Sequence, residues 1–241
     1  MSERNNQLPQ PTVVLRALVF ALPASSVKKW LLRKVGYAVH PTATVRSSLV
    51  WKVDQFEIGP GATFGRYNLV KNVRKVSLGR QASIGRMNLI SAHPVYKRLY
   101  AEGAALTLGD HAVITSRHSI DCSGAVTLGE YAGIFGHRST ALSHSIDLRR
   151  DAQAAAPITI GAKCFVGTNC LLLGGAELPE RSVLAAGSTL VRAKGEQTPG
   201  LWAGIPARRV ADVDGQWFDR TETHTMRVWV PQEDHIVEKA F

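Results

Sequence analysis

The feature that most restricts how this chain can fold is a six-residue beat in its second half. Ile160, Val166, Leu172, Leu178, Leu184 and Leu190 fall at successive steps of six. Ile160 and Val166 are followed directly by glycine, and four residues after each of the first five comes a small residue: Cys164, Cys170, Ala176, Ser182 and Ser188. The stretches "EIGPGATFG", "SLGRQASIG", "TLGDHAVIT" and "TLGEYAGIFG" repeat the phrase upstream. A period of six is neither the 3.6 of a helix nor the two of a half-buried strand. A short flat strand plus a corner accounts for it, three such units closing one triangular coil. The aliphatic residue then points into a prism and stacks on its equivalents above and below, with the small residue beside it. Glycine serves the corners, where φ is positive or backbones pass closely. Each coil covers its neighbour, so the core is continuous along one axis.

The beat is interrupted. Positions 58 and 78, and 108 and 128, are twenty apart, so some corners carry two extra residues. Longer excursions at 91–105 and 143–156 are expected as loops thrown out of the prism. Before the repeat, "VVLRALVFALPASSVKKWLLRKVGY" places Leu, Val and Trp at helical spacings around Pro23 and Ser25–Ser26, which predicts two short amphipathic helices. After it, "LWAGIPARRVADVDG" leaves through a proline, and "MRVWV" suits one terminal strand. The expected organisation is a helical cap over 1–39, the repeat domain over 40–195, and a C-terminal cap and tail over 196–241.

Bulk properties narrow the class. The chain has 241 residues, 45% hydrophobic and 20% charged, ordinary for a globular protein. The longest apolar run, Ala17 to Ala24, falls far short of the roughly 20 residues that span a bilayer. "LRALVFALPASS" imitates a signal peptide, yet Arg16 interrupts it and its flank carries no net positive charge. Cys122, Cys164 and Cys170 make an odd count without a CxxC pair, as expected of free thiols in a reducing, cytoplasmic setting. Net charge is uneven. Residues 1–100 hold 16 Lys and Arg against 3 Asp and Glu, and residues 101–241 hold 13 against 16. Such asymmetry fits an anionic partner or a solvated basic face. Basic residues do not alternate with aromatics as single-strand binders require, so nucleic acid is not expected. A basic amphipathic helix with Trp30 instead suits contact with the surface of a membrane.

In "ALSHSIDLRRDAQAAAPITIGAKCFVG" the beat stops at a polar loop led by His144. Loops on rigid scaffolds concentrate function, which makes His144 the first candidate among eight histidines. His118 and His137 lie on coils adjoining the break and are placed in the same groove as acceptor-binding candidates.

From about His40 to Val210 the chain resembles the hexapeptide-repeat acyltransferases, which implies a left-handed parallel β-helix. That hand comes from the resemblance alone, since crossovers are normally right-handed. The stretch "IDCSGAVTLGEYAGIFGHRSTALSHSIDLRRDAQAAAPITIG" is similar to sugar O-acetyltransferases of the colanic-acid, maltose and nodulation-factor type. There an aspartate strand, an IG coil and a G-S-H or T-x-x-H motif precede a loop closing on P-I-x-I-G. Asp121, Gly129, His144 and Pro157-Ile158-Thr159-Ile160-Gly161 occupy those places. The resemblance implies His144 as general base, Asp121 as an acceptor contact, a homotrimer, and acetyl-CoA or another acyl-CoA as co-substrate without a metal. "LAAGSTLVRA" resembles the pantetheine-lining G-A-G-S-V-V-T-K stretch, which carries cofactor contact to Ala186, Gly187, Ser188 and Arg192. "AGIPARRV" resembles the A-G-N-P-A-K tail and puts Arg208 near a phosphate. Ile205 and Val191 replace the family's asparagine and threonine, so those two side-chain contacts are missing. The chemistry is coherent: an imidazole titrating near neutrality can take the proton of a sugar hydroxyl as it attacks a thioester. The implied acceptor is a sugar or surface glycan, free or lipid-linked; the alternatives are acetyl transfer to an amino acid or amino sugar, or a non-catalytic β-helix scaffold. A zinc enzyme of the γ-carbonic-anhydrase kind fits poorly, because the pairs His111/His118 and His137/His144 stand seven apart.

Overall fold

A computed structural model describes residues 10–239. Residues 1–9 of the expected helical cap and 240–241 of the tail lie outside the described residues. The repeat builds seven coils with three faces. Face one stacks Ala38–Val39, Gln55–Ile58, Lys75–Leu78, Ala105–Leu108, Val126–Leu128, Ile158–Ile160 and Glu177–Leu178. Face two begins at Thr44–Val45 and reaches Val183–Leu184, and face three runs from Leu49–Trp51 to Thr189–Leu190. Strands of successive coils pair in parallel, and the architecture is a left-handed β-helix.

Register turns the sequence beat into columns. Val39, Ile58, Leu78, Leu108, Leu128, Ile160 and Leu178 pair in series up face one. Val45, Phe64, Ile84, Ile114, Ile134, Val166 and Leu184 do so on face two. Val50, Val70, Ile90, Ile120, Ala141, Leu172 and Leu190 form the third column. All are buried in one continuous cluster. Each large aliphatic side chain contributes about 1.5–3 kcal/mol relative to exposure. Cys164, Cys170, Ala176, Ser182 and Ser188 fill the spaces between columns and are buried as well.

The glycines divide between the two roles expected of them, Gly61, Gly136, Gly175 and Gly187 having positive φ. The positive φ of each corner falls mostly on larger residues: Gln81, His111, Tyr131, Lys163 and Arg181 at the corner between faces one and two. Gly79, Gly109, Gly129 and Gly161 follow the inward residue of face one instead. A Cβ on any of them would stand 2.5–2.8 Å from an atom of the next coil. Close stacking of coils, rather than turn conformation, is what requires glycine there.

Both ends are covered. Helices Pro11–Ala21 and Ser26–Lys34 close the first coil. The second is capped by Ser25, whose hydroxyl accepts the Lys28 amide at 3.0 Å. Phe20 drives its ring among Tyr37, Phe56 and Phe64, with centroids 4.8–6.0 Å away. The Lys28 ammonium is buried and donates to the carbonyls of Phe20, Leu22 and Arg46 at 2.7–3.0 Å. Burial pulls its pKa down to about 8. At the far end face two continues past residue 195: Leu201–Gly204 pairs in parallel with Val183–Leu184 and turns back antiparallel as Ala207–Ala211. The tail then returns along face two. Trp217 packs on Phe135 and Phe165, and Thr223 bonds His111 at 2.8 Å. The "MRVWV" strand, Val228–Val230, pairs with His235–Val237.

Neither excursion is an irregular loop. The first contains the helix Pro94–Leu99, and the second is an antiparallel hairpin, His144–Asp147 with Ala152–Ala155. Both leave the prism at the corner between faces three and one.

Candidate active site

The hairpin turn is held by Asp147, whose carboxylate accepts the amides of Arg149 and Arg150 at 3.0 and 3.2 Å. Its base is closed by the Ala156 amide on the Ser143 carbonyl at 2.9 Å. His144 therefore starts a fixed strand. Asp121 ends the face-three strand of the preceding coil, opposite Leu142, and points at the hairpin base. Its Oδ2 lies 2.8 Å from His144 Nδ1 and accepts the amides of Ser143 and His144 at 2.9 and 3.1 Å and the Ser143 hydroxyl at 2.8 Å. Its Oδ1 accepts the Ser123 hydroxyl at 2.7 Å. Burial alone would raise the Asp121 pKa, but the donors from His144, Ser123 and Ser143 outweigh it and hold the carboxyl below its ordinary value. An ionised Asp121 makes His144 Nδ1 the donor and leaves the Nε2 lone pair available. The His144 side chain is 30% exposed, enough to meet a ligand.

The first excursion reaches the same place. The His93 amide donates to the Ser123 hydroxyl at 2.9 Å, which itself donates to Asp121. The Tyr96 ring stands 5.9 Å from that of His144, and the His93 ring 6.4 Å. Tyr96 is buried, and its hydroxyl has no partner among the described residues. Arg74 secures the helix by donating to the carbonyls of Lys97, Tyr100 and Ala101. Lys97 adds an ion pair with Asp54 at 2.7 Å.

Several sequence expectations change in this light. Asp121 was expected to contact an acceptor; its oxygens are instead saturated by protein donors, and it orients His144. His118 does not line the groove. It is 2% exposed, its Nδ1 accepts the Ser139 amide at 3.1 Å, and its Nε2 bonds Thr115 Oγ1 at 2.9 Å. Burial, the largest influence, lowers its pKa to about 4, so it is a neutral strut. His137 is exposed but precedes the strand Thr140–Leu142 that His144 follows, which puts the two at different corners. His111, at a third corner, stacks on Tyr131 with centroids 4.5 Å apart. Within one chain these histidines do not converge.

Of the five expected cofactor contacts, Ala186 and Gly187 form an exposed corner. A Cβ at Gly187 would meet nothing within 4 Å, so an extended ligand could lie against this backbone. Arg192 and Arg208 are exposed cations suited to phosphates. Ser188 departs from expectation: it is buried, and its hydroxyl accepts the Gly204 amide at 3.2 Å. Arg192 lies over Gly175 and so shares the corner of His144, whereas the Gly187 amide bonds Thr168 at 3.0 Å at the corner of His137. Buried cysteines offer no nucleophile, for burial raises the thiol of Cys164 to about 12 and that of Cys122 well above the usual range.

No family model matches the chain. Among solved structures, a mutant of AntD, an N-acyltransferase from Bacillus cereus, in complex with dTDP-4-amino-4,6-dideoxyglucose and coenzyme A is similar. It is 11% identical with a TM-score of 0.55, covering 81% of this chain and 93% of that one. A second AntD mutant, in complex with dTDP and coenzyme A, is 11% identical with a TM-score of 0.54, covering 67% and 86%. The chain has the fold of the hexapeptide-repeat acyltransferases. On that β-helix the sequence pointed to His144 and Asp121 but not to His93, Tyr96, Ser123 or Ser143. Their only signal was position: two lie in the first excursion, and two flank the aspartate and the histidine.

Proposed function

We propose that the chain is an acyltransferase that moves a short acyl group from a coenzyme A thioester to a sugar hydroxyl, with His144 as general base. The observation that carries this reading is the Asp121–His144 pair, in which a half-buried carboxylate fixes the ring and leaves Nε2 without a partner among the described residues, on a side chain 30% exposed. His144 Nε2 takes the hydroxyl proton as the sugar oxygen attacks the thioester carbonyl, and Asp121 stabilises the imidazolium that forms. The Gly174 amide, next to Ser143 on the same corner, is the assigned donor to the developing oxyanion. His144 then returns its proton to the departing thiolate. Coenzyme A supplies the activated acyl group. Ala186 and Gly187 would lie along its pantetheine, and Arg192 and Arg208 would hold its phosphates.

A trimer fits this division of labour. Face three presents Leu49, Leu89 and Leu142 outward and exposed, and it separates the corner of Gly187 from that of His144. Packing prisms through this face would bring the donor corner of one subunit towards the base of another. The likeness to AntD, an N-acyltransferase, favours an amino sugar as the second acceptor class to test. Acetyl-CoA consumption screened against pooled neutral sugars, amino sugars and lipid-linked glycans tests the reading. Thioester loss with none of them, at a protein concentration where coenzyme A binding is measurable, contradicts it.

No helix among the described residues is long and apolar enough to cross a membrane. The helical cap nevertheless exposes Leu15, Leu18, Leu22, Val27 and Trp30 beside Lys29, Arg33 and Lys34, and residues 10–53 contain no acid. We assign this face to peripheral contact with an anionic cytoplasmic leaflet.

A further inference from the structure

The corner between faces two and three is chemically unlike the other two. It carries Arg46, Arg66, Arg86, Arg117 and Arg138 on five successive coils, all exposed. Arg66 and Arg86 stand at equivalent positions, whereas Arg117 lies one residue beyond Ser116, the equivalent of Arg86; amide bonds of Met87 to Arg66, Arg117 to Arg86 and Arg138 to Arg117 tie successive coils along the corner. Across all seven coils, the residues turning this corner (45–49, 64–69, 84–89, 114–119, 134–140, 166–171 and 184–189) include no Asp or Glu. Among the described residues none of the five guanidinium groups is ion-paired. At the neighbouring corner, by contrast, Arg80 pairs with Asp110 at 2.9 Å and Arg181 with Asp219 at 2.6 Å. Arg46, Arg66 and Arg86, three of the sixteen cations of the first hundred residues, thus stand where no acid neutralises them.

The ladder also borders a groove. A cavity of about 440 Å³ opens on face two, lined by Arg46, Arg66, Arg86, Ser83, Thr115 and His224. Its far wall is the returning tail, pinned by Thr223 on His111 at 2.8 Å and by the Tyr131 hydroxyl on Thr221 at 3.1 Å. Three arginines and His224 border a floor that also includes Ile84, Val113 and Ile114, so the site is a trough with charged edges, not a flat strip.

Coils rise by about 4.8 Å, so five rungs span about 19 Å in a straight line. That repeat is close to the length of one sugar ring. Guanidinium forks match carboxylates in two-point contacts. We propose that the ladder is a binding site for a linear carboxylated polysaccharide, laid along the prism axis with one carboxylate per rung and one stretch seated in the trough under the tail. A single-stranded nucleic acid would need stacking platforms, and Tyr67 is the one exposed aromatic on this corner among the described residues. A bilayer would meet the convex edge but not enter the trough. Within the chain the ladder is a face away from the Asp121–His144 corner and runs along the corner of Gly187, on the coils before it.

Calorimetric titration with size-defined oligogalacturonates tests the proposal, with neutral cello-oligosaccharides and oligothymidylate as comparisons. Affinity should rise with length until about five residues are engaged, in step with the five rungs, and then level off. It should weaken steeply with salt, and neutral chains should not bind. The double variant Arg66→Gln, Arg86→Gln should lose at least tenfold in affinity and His144→Ala none. Equal binding of neutral chains, no dependence on length, or tighter binding of oligothymidylate overturns the proposal. So does a double variant that binds as the parent does. If oligogalacturonates fail to bind and the double variant changes the oligomeric state by light scattering, the ladder is a subunit contact and the proposal is wrong.

Discussion

Asp121 holds His144 at two points, accepting the ring Nδ1–H at 2.8 Å and the backbone amide at 3.1 Å with the same oxygen. A ring tied to this carboxylate cannot rotate about χ1 or change tautomer without losing the Nδ1 bond, while the amide bond fixes the carboxylate beside it. His144→Ala should therefore fold normally and lose about 10²–10⁴ in turnover. Asp121→Asn keeps the shape but offers an amide where an acceptor is needed, and it should lose a comparable factor through the wrong tautomer. If either variant keeps more than half of the parent kcat, the assignment of the base fails.

Acid should unfold the protein through His118. Its pKa is near 6.5 in the unfolded chain and lowered to about 4 in the fold. The unfolded state thus binds more protons between those values, and the stabilising contribution present above about 6.5 is lost as pH falls through the window. Denaturant midpoints measured from pH 7 to pH 4 should decline. In His118→Gln, which does not titrate there, the decline should be shallower. Parallel curves would show that other groups dominate.

Two glycines should lose stability to alanine for different reasons. At Gly85 a Cβ would stand 2.4 Å from the Thr115 carbonyl oxygen. Separating the coils to make room should cost about 1–3 kcal/mol or more. At Gly187 nothing lies within 4 Å, and φ is +73°, so the cost is backbone strain of about 1–2 kcal/mol. Gly187→Ala should also raise KM for the acyl-CoA with kcat nearly unchanged. A KM equal to the parent's removes this corner from the donor site.

The membrane assignment is checked by co-sedimentation with phosphatidylglycerol vesicles. Intact protein should pellet at low salt and be released at high salt. Leu18→Glu with Trp30→Glu, both on the exposed side of the cap, should remain in the supernatant at the parent's melting temperature. Equal pelleting of parent and variant rules the cap out as the contact.

The prism was legible because its core obeys a single rule repeated along the chain. Each inward position needs an aliphatic residue and each close passage a glycine, so six-residue spacing alone fixes the faces, as Ile160 through Leu190 show. The site was only half legible. His144 stood out by interrupting the beat, but a histidine within the beat such as His118 carries no mark of whether its nitrogens face solvent or neighbouring amides. Asp121 likewise reads as a polar residue at the end of a strand. That its oxygens are filled by Ser123, Ser143 and His144 depends on residues from two turns meeting across a coil, which no local pattern encodes. Tyr96 was hidden for the same reason, since it reaches His144 from an excursion some fifty residues away in sequence.

Both excursions depart from the same corner, with the coil that carries Asp121 between them. Each can be lengthened, shortened or exchanged without shifting the register of a single column, because the strands on either side remain paired. If His144 is the base, the scaffold separates its inheritance from the choice of substrate: Asp121 ends a stacked strand and Ser143 and His144 stand at the root of the hairpin, while the walls beyond them are detachable. Two proteins of this architecture could keep the same proton-transfer geometry and share no acceptor. Grafting 92–104 and 145–155 as a pair, with Ser143 and His144 kept, should move selectivity between such scaffolds, whereas grafting either alone should strand half a pocket.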